Sequence, residues 1–112
     1  MNKKELKMSQ RIHLPLPAMS ALRKLGQDIN EARRRRRIPM ALMAQRAGIT
    51  EVTLIKIEKG NPNTAMAGYA SVLFVLGLID KLKEIADIGN DKTGQIFEAQ
   101  NLPKRIRIKN NG

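Results

Sequence analysis

Apolar residues recur along most of this chain at intervals of three and four, the period of a helix that buries one face. Ser20 reads as an N-cap, and Leu22, Leu25, Ile29 and Ala32 beyond it share a face, which predicts a first helix to about Arg36. Pro39 marks the next start, since proline is tolerated in a first helical turn, and Met40, Met43, Ala44 and Ala47 line one side of a short second helix ended by Gly48. Thr50 is a good N-cap for a third, with Leu54 and Ile57 inward and Gly60 as a left-handed terminator. After the "NPN" turn, Thr64 or Ala65 opens a fourth helix with Met66, Tyr69, Ala70, Leu73 and Phe74 on one side, broken or kinked at Gly77. Leu78 to Ala86 is expected to form a fifth that buries Leu78, Ile79, Leu82 and Ile85. Following the "DIGND" turn, Thr93 to Gln100 reads as one more short helix.

The two ends break this pattern. Residues 1–19 are polar and then interrupted by prolines ("HLPLPAM"), and are expected to form a flexible arm. At the other end "KRIRIK" alternates charge with Ile106 and Ile108, the two-residue period of a strand. The expected organisation is therefore the arm, an all-α helical domain over 20–88, and an extension over 89–112 that carries the strand. No internal repeat is present.

Charge narrows the partner. With 21 Lys and Arg against 10 Asp and Glu, the net charge of +11 favours an anionic surface, nucleic acid or acidic membrane. The membrane is the weaker of the two, because the basic residues do not lie along one helix opposite a bulky apolar face. "YASVLFVLGLI" stops at Asp80, far short of the roughly 20 residues that span a bilayer, and reads as core. "MNKKELKMSQ" lacks the apolar block of a signal peptide, so a cytoplasmic location is expected. There are no cysteines, and the one histidine, His13, has no second ligand at a metal-binding interval, so no metal or cofactor is expected. Nothing combines a nucleophile with a neighbouring base or forms a glycine-rich phosphate loop, and the expectation is a non-enzymatic protein. The three aromatics, Tyr69, Phe74 and Phe97, are placed at helical core positions, which leaves no stacking platform for single strands and favours duplex DNA.

Two short helices joined by a glycine-containing turn match a helix-turn-helix, whose second helix lies in the major groove; they are also compatible with an ordinary five-helix bundle. Ala44 is small where such helices cross, Gly48 permits the turn, and Ile49 is apolar where it packs inward. "RIPMALMAQRAGITEVTLIKIEKG" (Arg37 to Gly60) resembles the helix-turn-helix of the Cro and phage-repressor family: a small residue, a glycine soon after, and a closing "I-E-basic-G". The resemblance covers about Leu25 to Leu78 and implies a five-helix, lambda-repressor-like domain. The chain departs from the pattern at Met40, where the family usually has a Gln, and at Pro39, where Thr or Ser is common.

By that resemblance the base-reading positions are Thr50, Glu51, Val52 and Lys56, at the front of the third helix. The helical wheel agrees, since it turns Leu54 and Ile57 inward. Ile55, also outward, is either a second methyl contact or packing against the fourth helix. Arg37, Met40, Lys59, Asn61, Asn63 and Thr64 are placed to hold the DNA backbone. The family's internal salt bridge maps onto Arg33 and Glu58, which divides the "RRRRR" run: Arg33 inward, Arg36 near the bundle edge, and Arg34, Arg35 and Arg37 toward solvent or phosphate.

The last third, "YASVLFVLGLIDKLKEIAD" followed by "LPKRIRIK", resembles the tail of repressor-antitoxins that accompany HipA-type serine/threonine kinase toxins. That resemblance implies a homodimer with terminal strands paired through Ile106 and Ile108, a palindromic double-stranded DNA operator and a HipA-like kinase partner. A stand-alone or phage-type repressor, or an adaptor that bridges other proteins with the same bundle, is the alternative.

Overall fold

The computed structural model describes residues 13–100, and all of their regular structure is helical. The elements are α1 (Leu16–Arg35), α2 (Met40–Ala47), α3 (Glu51–Glu58), α4 (Met66–Val75), α5 (Ile79–Lys83), a 3-10 turn (Ile88–Asn90) and α6 (Lys92–Ala99). They divide into two units, one reaching Ile79 and one starting at Asp80. The start of the arm, the expected strand, Ile106 and Ile108 lie outside the described residues.

The first unit is built on α3. Both α1 and α2 pack against it, and α4 packs on α2 and α3. The core is Ile29 and Ala32 of α1, Met43 and Ala44 of α2, Leu54 and Ile57 of α3, and Tyr69, Val72 and Leu73 of α4, with Leu76 just beyond. Ile29, Met43, Leu54, Ile57 and Val72 are almost fully enclosed. Each such side chain contributes roughly 1.5–3 kcal/mol of burial, so these contacts outweigh any single polar one.

Three expectations need correction. The first helix starts at Leu16 with Pro15 as N-cap, so Ser20 is an interior residue and Leu16 to Met19 belong to the helix, not to an arm. Proline's fixed φ suits a first turn, and its missing N–H falls among donors that a helix start leaves unpaired anyway. Of the three aromatics expected in the core only Tyr69 is buried: in α4 the inward face is Gly68, Tyr69, Val72 and Leu73, while Met66 and Phe74 are 71% and 69% exposed, and Phe97 of α6 is 54% exposed. The expected fifth helix is only Ile79–Lys83 and buries nothing; Ile85 is 68% exposed. Local bonds in "DIGND" compete with its continuation: Asp87 accepts from the Gly89 amide at 2.9 Å, and Asn90 donates to the Glu84 carbonyl at 2.7 Å. In the same unit Asp91 caps α6 one residue ahead of the expected start, accepting from the Gly94 amide at 2.9 Å.

Helices α1 to α4 share one ending. In each, a residue with left-handed backbone donates to a carbonyl three back, and its successor donates to one five back, as in Gly48 to Gln45 and Ile49 to Ala44. Three of the left-handed positions are Gly48, Gly60 and Gly77, with φ of 71°, 71° and 78°; the fourth is Arg37, at 55°. A side chain there costs roughly 1–2 kcal/mol relative to right-handed backbone.

Candidate nucleic-acid interface

Helices α2 and α3 have eight residues each and are separated by Gly48, Ile49 and Thr50. Thr50 caps α3, its hydroxyl accepting from the Thr53 amide at 3.1 Å and donating to the Thr53 hydroxyl at 3.0 Å. Because Leu54 and Ile57 are fully buried, the opposite side of α3 faces outward. It presents Glu51, Val52 (62% exposed), Ile55 (42% exposed) and Lys56. Glu51, Val52 and Lys56 therefore share an exposed face, with Thr50 at its start but with that hydroxyl engaged in the cap. Ile55 stands outward with them.

The end of α3 is tied to α1 by one carboxylate. Glu58 accepts from Arg33 through both oxygens, Nε to Oε2 at 2.7 Å and Nη2 to Oε1 at 3.2 Å. The two side chains are only 10% and 7% exposed. Asn30 adds a donor to Oε1 at 2.7 Å, and Arg33 Nη1 donates to the Ile38 carbonyl at 2.9 Å, so the pair also fixes the entry to α2. Such an arrangement is costly to break from one side, because the remaining charge would stay enclosed.

The other arginines separate as well. Arg36 donates to the carbonyls of Ala32 at 2.9 Å and Leu76 at 3.0 Å, closing α1 against the end of α4. Arg34 and Arg35 are exposed on α1. Arg37 is exposed and left-handed, in the short link between α1 and α2. At the first position of α2, Met40 is half-buried.

Beyond α3 the chain makes a compact turn. The Asn61 side-chain oxygen accepts from the Asn63 amide at 2.7 Å, and the Asn61 carbonyl accepts from the Tyr69 hydroxyl at 2.9 Å. Burial pushes the Tyr69 phenol above its ordinary value of 10.0. Lys59 and Asn63 are exposed and Asn61 is half-buried. Thr64 differs from them: its hydroxyl oxygen is buried without a hydrogen-bond partner. Lys56, Asn61, Asn63, Thr53 and Thr64 line a cleft of about 370 Å³ between α3 and the start of α4.

Two further residues, Asn30 and Gly26, contribute to the site. Asn30 precedes Arg33 by three positions, which puts both on one face of α1, and that spacing is its signal in the sequence. Gly26 has none. A Cβ there would lie 2.6 Å from both the Gly60 amide and the Ile57 carbonyl, so α1 and the end of α3 meet backbone to backbone. Among the described residues no three acidic or histidine side chains form a metal-binding group, and no helix is long and apolar enough to cross a membrane. The chain matches no protein-family model, no curated protein and no solved structure.

Proposed function

We propose that α2, the Gly48 turn and α3 form the helix-turn-helix of a sequence-specific, non-enzymatic DNA-binding repressor of the Cro and phage-repressor type. The observation that carries this reading is the exposed row Glu51, Val52, Ile55 and Lys56 on a helix whose end is locked by the enclosed Arg33–Glu58 pair. A reading helix must present side chains at fixed positions, and the lock supplies that rigidity. Lys56 donates to guanine acceptors, Glu51 accepts from the cytosine amino group, and Val52 and Ile55 meet thymine methyls; Thr50 approaches a base with its methyl group. Arg37, Lys59, Asn61 and Asn63 hold phosphates, Met40 contributes its helix-start amide, and Thr64 serves packing more than contact.

The protein acts in the cytoplasm as a homodimer on a palindrome whose half-sites are about one DNA turn, roughly 34 Å, or a multiple of it apart. The narrower reading makes it the antitoxin that autoregulates an operon encoding a HipA-type kinase. The separate unit from Asp80, with Ile88, Ile96 and Phe97 each about half exposed, supports a protein partner on that side. Co-expression with the adjacent gene product followed by size exclusion tests the narrower reading: co-elution is expected, and separate elution leaves a plain repressor. The DNA reading is tested by gel shift of the region upstream of the gene against random duplex at two salt concentrations. Preference for the upstream palindrome and a steep loss of affinity with salt are expected. Equal, weak affinity for both duplexes would overturn it.

A further inference from the structure

From Ala65 to Ile79 the chain carries no charged residue, in a protein of net charge +11. Most of that stretch is α4, and only one side of α4 is used by the core. The other side presents Ala67, Ala70, Ser71 and Phe74, with Met66 at its edge. Phe74 leaves 69% of its surface exposed and Met66 leaves 71%. An outward phenyl ring on a helix without a single charge is a costly surface unless something covers it.

We infer that this face of α4 pairs with the same face of a second copy, as an antiparallel helix pair about a two-fold axis passing between Ala70 and Ser71. This deepens the repressor reading and rests on it for the expectation of two-fold symmetry. Two arguments select a second copy as the occupant. The first is pattern. A two-fold contact must be self-complementary, so a residue and its mate stand at equal distances from the axis. Rotation about that axis sets Phe74 against Ala67 of the other copy, with Ala70 and Ser71 of both copies near the centre. The large ring thus meets the smallest exposed side chain, twice, and the small residues at the centre let the backbones approach.

The second argument is charge. Two copies of +11 repel each other over most of their surfaces. They approach at least cost where neither bears charge, and Ala65 to Ile79 is such a surface. An acidic partner would be drawn to the arginine-bearing end of α1 instead. A ten-residue helix face is smaller than the roughly 800 Å² per partner of a standard stable complex, so micromolar self-association is expected, tightened when both copies sit on one DNA.

The test measures the mass of the full chain by light scattering in the absence of DNA, with a circular dichroism melt of each variant. Phe74→Glu and, separately, Ala67→Glu should weaken dimerisation about tenfold or more while leaving the helical signal and melting intact. The double variant Phe74→Glu/Ala67→Lys should recover part of the loss, because each new carboxylate then faces an ammonium of the other copy. Ala67 is exposed, so its variant keeps the test valid if Phe74→Glu fails to fold. Wild-type dimerisation in both single variants would overturn the inference. A monomeric wild type whose melting falls on Phe74→Glu would also overturn it, by showing that the face is covered within its own chain. A dimer lost as expected, but without preference for any DNA sequence, would sink the repressor reading and leave this surface standing.

Discussion

Arg33 and Arg35 lie two positions apart in a run of like charges, yet only the first is enclosed. Arg33→Ala would strand Glu58, with Asn30 as its remaining side-chain donor, and should cost about 3 kcal/mol. Arg35→Ala should stay within about 0.5 kcal/mol of wild type. Urea denaturation of the two variants checks the division, and equal midpoints would contradict it. Arg37 is a different case. It occupies the left-handed ending that Gly48, Gly60 and Gly77 occupy elsewhere, and strained backbone tends to be kept where it serves a site. Arg37→Gly is therefore expected to stabilise the fold by up to about 1 kcal/mol and, at the same time, to weaken binding to all DNA sequences alike. A variant that is less stable would show that the arginine side chain contributes more to the fold than its backbone costs. The pairing of Arg33 with Glu58 was an expectation drawn from the resemblance of the "IEKG" ending to a repressor motif, and the two side chains do meet. The conformation of Arg37 was not legible in the sequence, since arginine carries no left-handed signal and its neighbours are arginines too.

Helix α1 depends on an approach that no side chain advertises. In an open helix Gly26→Ala would add about 1 kcal/mol of stability, but here the new Cβ would press on the backbone of Ile57 to Gly60. The expected outcome is a loss exceeding about 2 kcal/mol, read as a lower thermal midpoint; an unchanged or higher midpoint would mean that α1 and α3 separate at little cost. Boundaries marked by glycine or by Thr50 were readable because each marker has one physical use there. Where the markers ran out, the reading of faces failed. In α4 the absence of charge removes the signal that tells outside from inside, and periodicity alone points Phe74 inward. Beyond Gly77, Leu78, Ile79, Leu82 and Ile85 keep helical spacing, but the Asp87 and Asn90 bonds end the helix before that face can form. At the other end, the prolines of "HLPLPAM" suggested a break where they in fact open α1.

At the scale of the molecule the proposed function rests on the exposed face of α3 and on the proposed pairing of two copies. Changes on that face should redirect binding, whereas changes beside it should only weaken binding. Lys56→Ala and Glu51→Ala are expected to shift preference at particular base pairs by about 1 to 3 kcal/mol each, and Lys59→Ala to lower affinity for every sequence and flatten the salt dependence. The exposed positions of α3 were legible because a buried Leu54 and Ile57 leave the wheel no other choice. The exposure of Phe74 and Met66 on α4, on which the proposed pairing of two copies rests, was not, because an uncharged stretch carries no mark of its outer side. The most direct measurement is selection of bound duplexes from a random library by the wild-type protein. Enrichment of one palindrome with half-sites about a helical turn apart is expected. Recovery of duplexes with no shared sequence, at the affinity of the unselected library, would contradict it.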